Sequence, residues 1–153
     1  MKDFHLRFFG NRPVPDGIGE LLEARDDELL WAPDYPGAYV IGANQGTMFT
    51  YPWGQSPVFW IGESRDLRKS FAEYRRHAFS AQSDKGEQTW WPLYQYGASF
   101  GATVAWYAVV GAQFPNRIQY DLMNAFYGLY VTIPLGNQNW PSGLRPVHGE
   151  PHG

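Results

Sequence analysis

Residues 58–69 constrain the fold more than any other part of the chain. The run begins with four apolar residues, passes through Gly62 and continues into a charged stretch. An apolar run that ends at a glycine is typical of a buried strand followed by a turn. Ser64 is a suitable N-cap for the next element, and Asp66 places a negative charge in the first helical turn. The run therefore predicts a strand, a turn and a helix in close succession.

Apolar periodicity predicts the other elements. Repeats at three- and four-residue steps predict helices over residues 16–30, 66–79 and 114–129. Apolar runs predict strands over residues 4–9, 38–41, 48–51, 58–61 and 99–110, separated by loops that include 52–57 and 80–89. The last strand is apolar on both faces, which favours a central position. The order predicts an α+β fold, with a small antiparallel sheet of about three strands between helices and an extra N-terminal arm and helix.

A chain of 153 residues has the size of one domain, and its composition divides it into three segments. Residues 1–35 are predicted to form an extension that packs on a domain over residues 36–141. Residues 142–153 are polar and rich in glycine and proline, which predicts a flexible tail.

Composition excludes several classes of site. The chain has no cysteine, so disulfides, thiolate metal sites and cysteine nucleophiles are excluded. No apolar run has membrane-spanning length, and the N-terminus lacks an apolar signal segment. We therefore expect a cytoplasmic protein without a membrane partner.

Charge is distributed unevenly around the net value of −3. Residues 20–28 are mostly acidic, whereas residues 65–77 carry five basic side chains and only two acidic ones. The basic side chains are Arg65, Arg68, Lys69, Arg75 and Arg76. Such a face can bind the phosphates of DNA or RNA even when the total charge is negative. Two solvated helix faces are the simpler interpretation of the same pattern.

Several short motifs occur in the order of a known nuclease family. Gly37-Ala38-Tyr39 and Trp60-Ile61-Gly62 lie on successive predicted strands, and a basic run follows at residues 65–69. Gln119, Leu122-Met123, Phe126, Pro134 and Asn137 complete the series. Over residues 36–139 the chain resembles the GIY-YIG nuclease superfamily, in which a three-stranded antiparallel sheet is flanked by helices.

The resemblance implies metal-assisted phosphodiester hydrolysis, with Mg²⁺ or Mn²⁺ as the cofactor of active members. It places Tyr39 and Trp60 at the two tyrosine positions, Ser70 at the arginine position and Gln119 at the metal-binding glutamate position. His77 corresponds to an auxiliary base, and Asn137 to a structural anchor of the loop after the last helix. Indole has no ionisable hydroxyl, serine carries no charge, and an amide is a poor sole protein ligand for Mg²⁺. Three catalytic identities are therefore altered.

Three functions stay open on these residues. The first is a degenerate domain that keeps binding or regulation without hydrolysis or a cofactor. The second is an active endonuclease in which Arg68 or Lys69 binds phosphate and Asp121 holds the metal, although Asp121 would point away from Gln119 on a helix. The third is a protein-interaction scaffold without nucleic acid, whose hydrophobic anchors are Trp53, Trp90, Trp91 and Trp140.

Overall fold

Six strands and three helices account for most of the chain that can be described. The computed structural model describes residues 15–22, 28–44, 46–82, 91–109, 114–138 and 140. The strands are β1 (Gly17–Glu20), β2 (Gly37–Gly42), β3 (Phe49–Tyr51), β4 (Gly54–Ser56), β5 (Val58–Ser64) and β6 (Thr103–Ala108). The helices are α1 (Leu67–Gln82), α2 (Pro92–Phe100) and α3 (Pro115–Tyr130).

The main sheet has four antiparallel strands in the order β1-β6-β2-β5. Strands β6 and β2 are central and mostly buried, which confirms the central position predicted for the long apolar strand. Strands β3 and β4 form a separate two-stranded hairpin. The α+β class is therefore confirmed, with one more strand in the main sheet than predicted.

Apolar side chains cover both faces of the main sheet. Helix α3 packs on one face through Leu122, Met123 and Phe126, against Val40 and Ile61. Helices α1 and α2 cover the other face, where the fully buried side chains include Leu67, Phe71, Ile41, Phe59 and Val104. None of the described helices is both long and apolar enough to cross a membrane.

The helix predicted over residues 16–30 is wrong where the structure describes it, because Gly17–Glu20 is strand β1. The two glycines explain the difference. A Cβ atom at Gly17 would lie 2.1 Å from the Trp106 ring, and one at Gly19 would lie 2.4 Å from the Trp31 ring. Two tryptophan rings thus lie directly against the strand backbone, and glycine is also a poor helix former. Residues 23–27, the predicted arm at 4–9 and the predicted tail at 142–153 lie outside the described residues.

Element boundaries differ elsewhere. The strand predicted over residues 99–110 starts only at Thr103, because Pro92–Phe100 is helix α2. The predicted loop at 52–57 contains strand β4. Helix α1 continues to Gln82, beyond the predicted end at residue 79. The helix predicted over residues 114–129 is confirmed as α3.

Candidate functional site

Tyr39, Trp60 and Gly62 meet on the sheet face that α1 covers. Tyr39 of β2 is the register partner of Gly62 of β5, and Trp60 lies two residues before Gly62 on the same face. A Cβ atom at Gly62 would lie 2.5 Å from Trp60 Nε1 and 2.7 Å from the Tyr39 hydroxyl oxygen. Because Gly62 has no side chain, the Trp60 N–H and the Tyr39 hydroxyl can both pack directly against the backbone of β5.

The local environment keeps this pair of aromatic residues neutral. Burial raises the pKa of Tyr39 to about 12, and the adjacent Trp60 N–H partly offsets this effect. The Trp60 Nε1 atom is itself buried and makes no hydrogen bond of good geometry with any described residue. The Tyr39 ring packs edge-on against Phe71 of α1, with 5.2 Å between the ring centroids. At neutral pH the Tyr39 hydroxyl thus keeps its proton.

Burial of tyrosines predicts that the protein loses stability above pH 10. Burial raises the pKa of Tyr39 to about 12 and also raises the pKa values of Tyr51, Tyr74 and Tyr107. Unfolded tyrosines ionise near pH 10, whereas these resist ionisation in the fold, so the unfolded state releases protons first as pH rises. The stability is fully present below pH 10 and is lost as pH rises through the folded pKa values. Urea unfolding at about pH 8, 10 and 11 would measure the loss, and Tyr39→Phe should reduce it. A free energy of unfolding that stays constant over this range would contradict the prediction.

Ser70 contacts β5 just beyond Gly62. The Ser70 and Ser64 hydroxyl oxygens are 2.6 Å apart, and Ser64 Oγ accepts a hydrogen bond from the Asp66 N–H at 3.0 Å. The Asp66 carboxylate accepts from the Lys69 N–H at 3.2 Å, so Asp66 is the N-cap of α1. The predicted cap at Ser64 is therefore wrong by two residues. The position where the resemblance calls for arginine holds a neutral hydroxyl that joins the strand to the helix.

Gln119 and Asn137 both bind the backbone of Ile61, at the outer edge of β5. Asn137 Oδ1 accepts from the Ile61 N–H at 3.0 Å, and Asn137 Nδ2 donates to the Ile61 carbonyl at 2.9 Å. Gln119 Nε2 donates to the same carbonyl at 3.2 Å. The Gly136 N–H donates to the Phe59 carbonyl at 2.6 Å, so the segment after α3 runs along the open side of β5. The Asn137 side chain thus joins the segment after α3 to the backbone of β5.

The four positions that the resemblance assigns to catalysis thus lie around one short stretch of β5, residues 60–64. They contribute a tyrosine hydroxyl, an indole N–H, a serine hydroxyl and a carboxamide, and none of these groups is charged at neutral pH. Divalent magnesium prefers carboxylate oxygens, so these four groups do not fit a Mg²⁺ site. The described residues also contain no group of three histidine, cysteine, aspartate or glutamate side chains that could hold a metal ion.

Asp121 and His77 have other contacts. Asp121 pairs with Arg117 one turn earlier on α3, with 3.5 Å between Nε and Oδ1. His77 lies five residues before the end of α1, and its ring centroid is 4.8 Å from that of Tyr94 on α2. His77 Nε2 is 3.8 Å from Glu73 Oε1. His77 is therefore part of the α1–α2 interface.

The five basic residues predicted to bind nucleic acid divide into two groups. Arg68 donates to the Ala32 carbonyl at 2.7 Å, and Arg75 donates to the Leu21 carbonyl at 2.7 Å. Arg75 is also nearly fully buried. These two arginines fix the segments around β1 to helix α1, and this structural role replaces the predicted one. The exposed members are Arg65, Lys69 and Arg76.

An aromatic cluster lies at the start of α2. Trp91 stacks on Tyr94 with 5.8 Å between ring centroids and an interplanar angle of 14°. Burial and the negative charge of Glu73 raise the pKa of Tyr94, and the positive charge of Arg76 offsets part of this rise. The sequence pattern did not predict helix α2, so it did not predict that Tyr94 packs against Trp91. Pro92 immediately after Trp91 is the available signal, because proline favours the first turn of a helix.

Comparison with known proteins gives no assignment. No protein-family model, curated protein or solved structure matches this chain. The GIY-YIG resemblance accordingly stays a prediction that rests on the quoted motifs.

Proposed function

We propose that this chain is a degenerate nuclease-like domain that binds nucleic acid through the outer face of α1 and does not cleave it. One observation carries the proposal: Tyr39, Trp60, Ser70 and Gln119 converge around residues 60–64 of β5, but they present only neutral groups. Ser70 and Gln119 make hydrogen bonds to the protein itself. The resemblance assigns these four positions to catalysis, whereas their neutral side chains suit a structural role.

Loss of hydrolysis follows from the missing charges. Phosphodiester cleavage builds negative charge on the phosphate, and arginine and a carboxylate-held metal ion stabilise that charge. Removing one such electrostatic partner costs about 10²–10³-fold in rate in well-studied enzymes. Here the arginine position is Ser70 and the carboxylate position is Gln119. We therefore expect no cleavage above background.

Binding is supported by the charges that stay exposed on α1. Lys69 and Arg76 are seven residues apart, which places them within about 20° of each other around the helix axis. Both side chains are exposed, and Arg65 is also exposed just before the helix begins. Glu73 is also exposed and lies one turn from each of these two residues, 3.8 Å from His77. The three exposed cations outnumber this carboxylate, so the outer face of α1 can still attract a phosphate backbone.

Charge reversal tests the binding surface. We expect Lys69→Glu combined with Arg76→Glu to weaken binding of a fluorescently labelled oligonucleotide at least about 10-fold at low salt, because two phosphate contacts become repulsive. Fluorescence anisotropy would measure the dissociation constant. Arg117→Glu is the matched control, because it reverses an exposed arginine on α3 and should leave binding nearly unchanged. Equal binding by wild type and the double variant would remove α1 from the proposal.

A cleavage assay tests the loss of activity. The pure protein would be incubated with plasmid and with single strands, in Mg²⁺ and in Mn²⁺. Cleavage that is abolished by Tyr39→Phe and by Gln119→Ala or Asp121→Ala would establish an active endonuclease instead. That result would show that other residues have taken over catalysis at this site.

A protein-interaction scaffold is the second candidate, favoured by an exposed apolar area. Trp53 at the tip of the β3–β4 hairpin is 56% exposed, and Leu135 and Leu129 are 43% and 40% exposed. Gly54 approaches the Tyr130 ring, so the hairpin tip lies near the end of α3. Absence of oligonucleotide binding by the wild-type protein at low salt would favour this candidate.

A further inference from the structure

We propose that residues 134–137 and the side chain of Gln119 form an edge guard, which prevents β5 from pairing with β5 of a second copy of this chain. The inference concerns self-association. It stands apart from the proposed binding of nucleic acid, because none of the guard residues lies on α1.

β5 is an outer strand whose free edge could accept a further strand. It comes last in the order β1-β6-β2-β5, so β2 pairs with only one of its two sides. The N–H and C=O groups of Ile61 point away from β2, and alternation along the strand gives Glu63 the same direction. With seven residues, β5 is the longest of the described strands. Long free edges of this kind are sites at which strands of separate molecules pair.

The guard takes the place of a neighbouring strand at Ile61. Asn137 Oδ1 accepts from the Ile61 N–H at 3.0 Å, and Asn137 Nδ2 donates to the Ile61 carbonyl at 2.9 Å. A paired residue of an antiparallel strand would form the same two hydrogen bonds. Gln119 Nε2 donates to the same carbonyl at 3.2 Å, so both lone pairs of that oxygen are used. Ile61 therefore has no backbone group left for another strand.

The backbone of the guard covers the strand at Phe59. The Gly136 N–H donates to the Phe59 carbonyl at 2.6 Å, and the Leu135 N–H donates to the Tyr51 hydroxyl at 3.2 Å. A Cβ atom at Gly136 would lie 2.5 Å from the Phe59 carbonyl oxygen, so glycine is required for this close approach. The edge of β5 is thus covered at Phe59 as well as at Ile61.

Val131 turns the chain from α3 toward the guard. Its φ of 64° and ψ of 24° are left-handed, which is an unfavourable conformation for a β-branched residue. A residue stays in such a conformation only where the surrounding contacts impose it. Leu135, Gly136 and Asn137 supply contacts that fix the segment after the turn. The path of this segment therefore depends on its bonds to β5 and Tyr51 more than on local preference.

A second copy of the chain is the partner that suits the unguarded edge. An antiparallel edge is complementary to itself, because a two-fold axis brings the same groups of both copies together. Pairing of Ile61 with Glu63 of the second copy would use the outward N–H and C=O groups of both residues. Glu63 is the one charged residue of β5, and in this register it faces Ile61 and not another carboxylate.

Sedimentation velocity over a range of protein concentrations tests the guard. Wild type should remain monomeric. Gln119→Ala combined with Asn137→Ala should self-associate at least about 10-fold more tightly than wild type, because the guard no longer competes with a second strand for Ile61. Adding Glu63→Pro to this double variant should restore the monomer, because proline removes an outward N–H and is tolerated on an outer strand.

Val104→Ala is the matched control for lost stability. Val104 is fully buried on β6, away from the guard, and its truncation leaves a cavity that destabilises the fold. This variant should stay monomeric, which would separate loss of the guard from general destabilisation. Self-association of Val104→Ala to the same extent as the double variant would overturn the proposal.

Amide hydrogen exchange of the wild type tests the guard without relying on a variant that must fold. The Ile61 N–H should exchange at least about 100-fold more slowly than the Glu63 N–H, which lies beyond the contacts of the guard on the same edge. Equal exchange rates at the two positions would overturn the proposal. A wild-type dimer that Glu63→Pro disrupts, or a folded double variant that stays monomeric at every concentration, would also overturn it.

Discussion

Replacing Asn137 with alanine is expected to lower the free energy of unfolding by about 2–4 kcal/mol. Asn137 is buried and forms two hydrogen bonds with the Ile61 backbone, at 3.0 Å to the N–H and 2.9 Å to the carbonyl. After the substitution the Ile61 carbonyl retains Gln119, whereas the Ile61 N–H loses the partner that the structure gives it at this edge. An unpaired buried donor costs about 1–3 kcal/mol in addition to the lost hydrogen bonds.

Urea denaturation of wild type and variant would measure this change. Gln138→Ala is the matched control, because Gln138 is the exposed neighbour of Asn137 in the chain and its loss should change stability by less than about 0.5 kcal/mol. Asn137→Asp should restore little, because a carboxylate accepts from the Ile61 N–H but cannot donate to the Ile61 carbonyl. Equal stability of Asn137→Ala and wild type would contradict the assigned role.

The sequence predicted those parts of the fold in which one local signal dominates. Helices α1 and α3 have apolar periodicity, and the cap of α1 was missed by only two residues because Ser64 and Asp66 both suit that role. Asn137 is predicted to anchor the loop after the last helix, and its side chain forms two hydrogen bonds with Ile61. Its partner on β5 lies 76 residues away along the chain, so the spacing of the sequence alone could not identify Ile61.

Other features depend on contacts that a local pattern does not contain. Gly17 and Gly19 belong to a strand because two tryptophans far along the chain or in the next loop cover them, whereas the apolar residues nearby favoured a helix. The sequence predicts Arg68 and Arg75 as surface charges, but the backbone carbonyls of Ala32 and Leu21 accept hydrogen bonds from them. Counting basic residues in a sequence therefore overestimates the positive charge that a binding partner can reach. Here two of the five basic side chains form hydrogen bonds with the protein's own backbone.

This division of the basic residues changes how the candidate site is tested. Substituting Arg75 would disturb the fold and binding together, so its effect on affinity would be ambiguous. Lys69 and Arg76 are exposed, and their reversal changes the surface with little cost to packing. The same distinction separates Trp91, which is partly exposed, from Trp60, whose Nε1 atom is buried. Binding measurements should therefore use the exposed residues, and stability measurements the buried ones.

Replacing Gly62 with alanine is expected to lower the free energy of unfolding by about 1–3 kcal/mol. The new methyl group would lie 2.5 Å from Trp60 Nε1 and 2.6 Å from Tyr39 Cζ, far inside van der Waals contact. Neither ring can move freely, because Tyr39 packs against Phe71 and Trp60 belongs to the partly buried shell of the same core. Both rings must therefore shift, and the convergence of Tyr39 and Trp60 over β5 would be lost.

Thermal and urea unfolding would measure the cost, and Gly128→Ala is the matched control. Gly128 is exposed on α3 with no atom within 4 Å of an added Cβ, so that substitution should raise stability by about 0.5–1 kcal/mol through helix propensity. Trp60→Leu combined with Gly62→Ala should recover part of the loss, because the smaller side chain makes room for the methyl group. A double-mutant cycle with no coupling between positions 60 and 62 would mean that the two side chains do not meet, and the described geometry of the site would then be wrong.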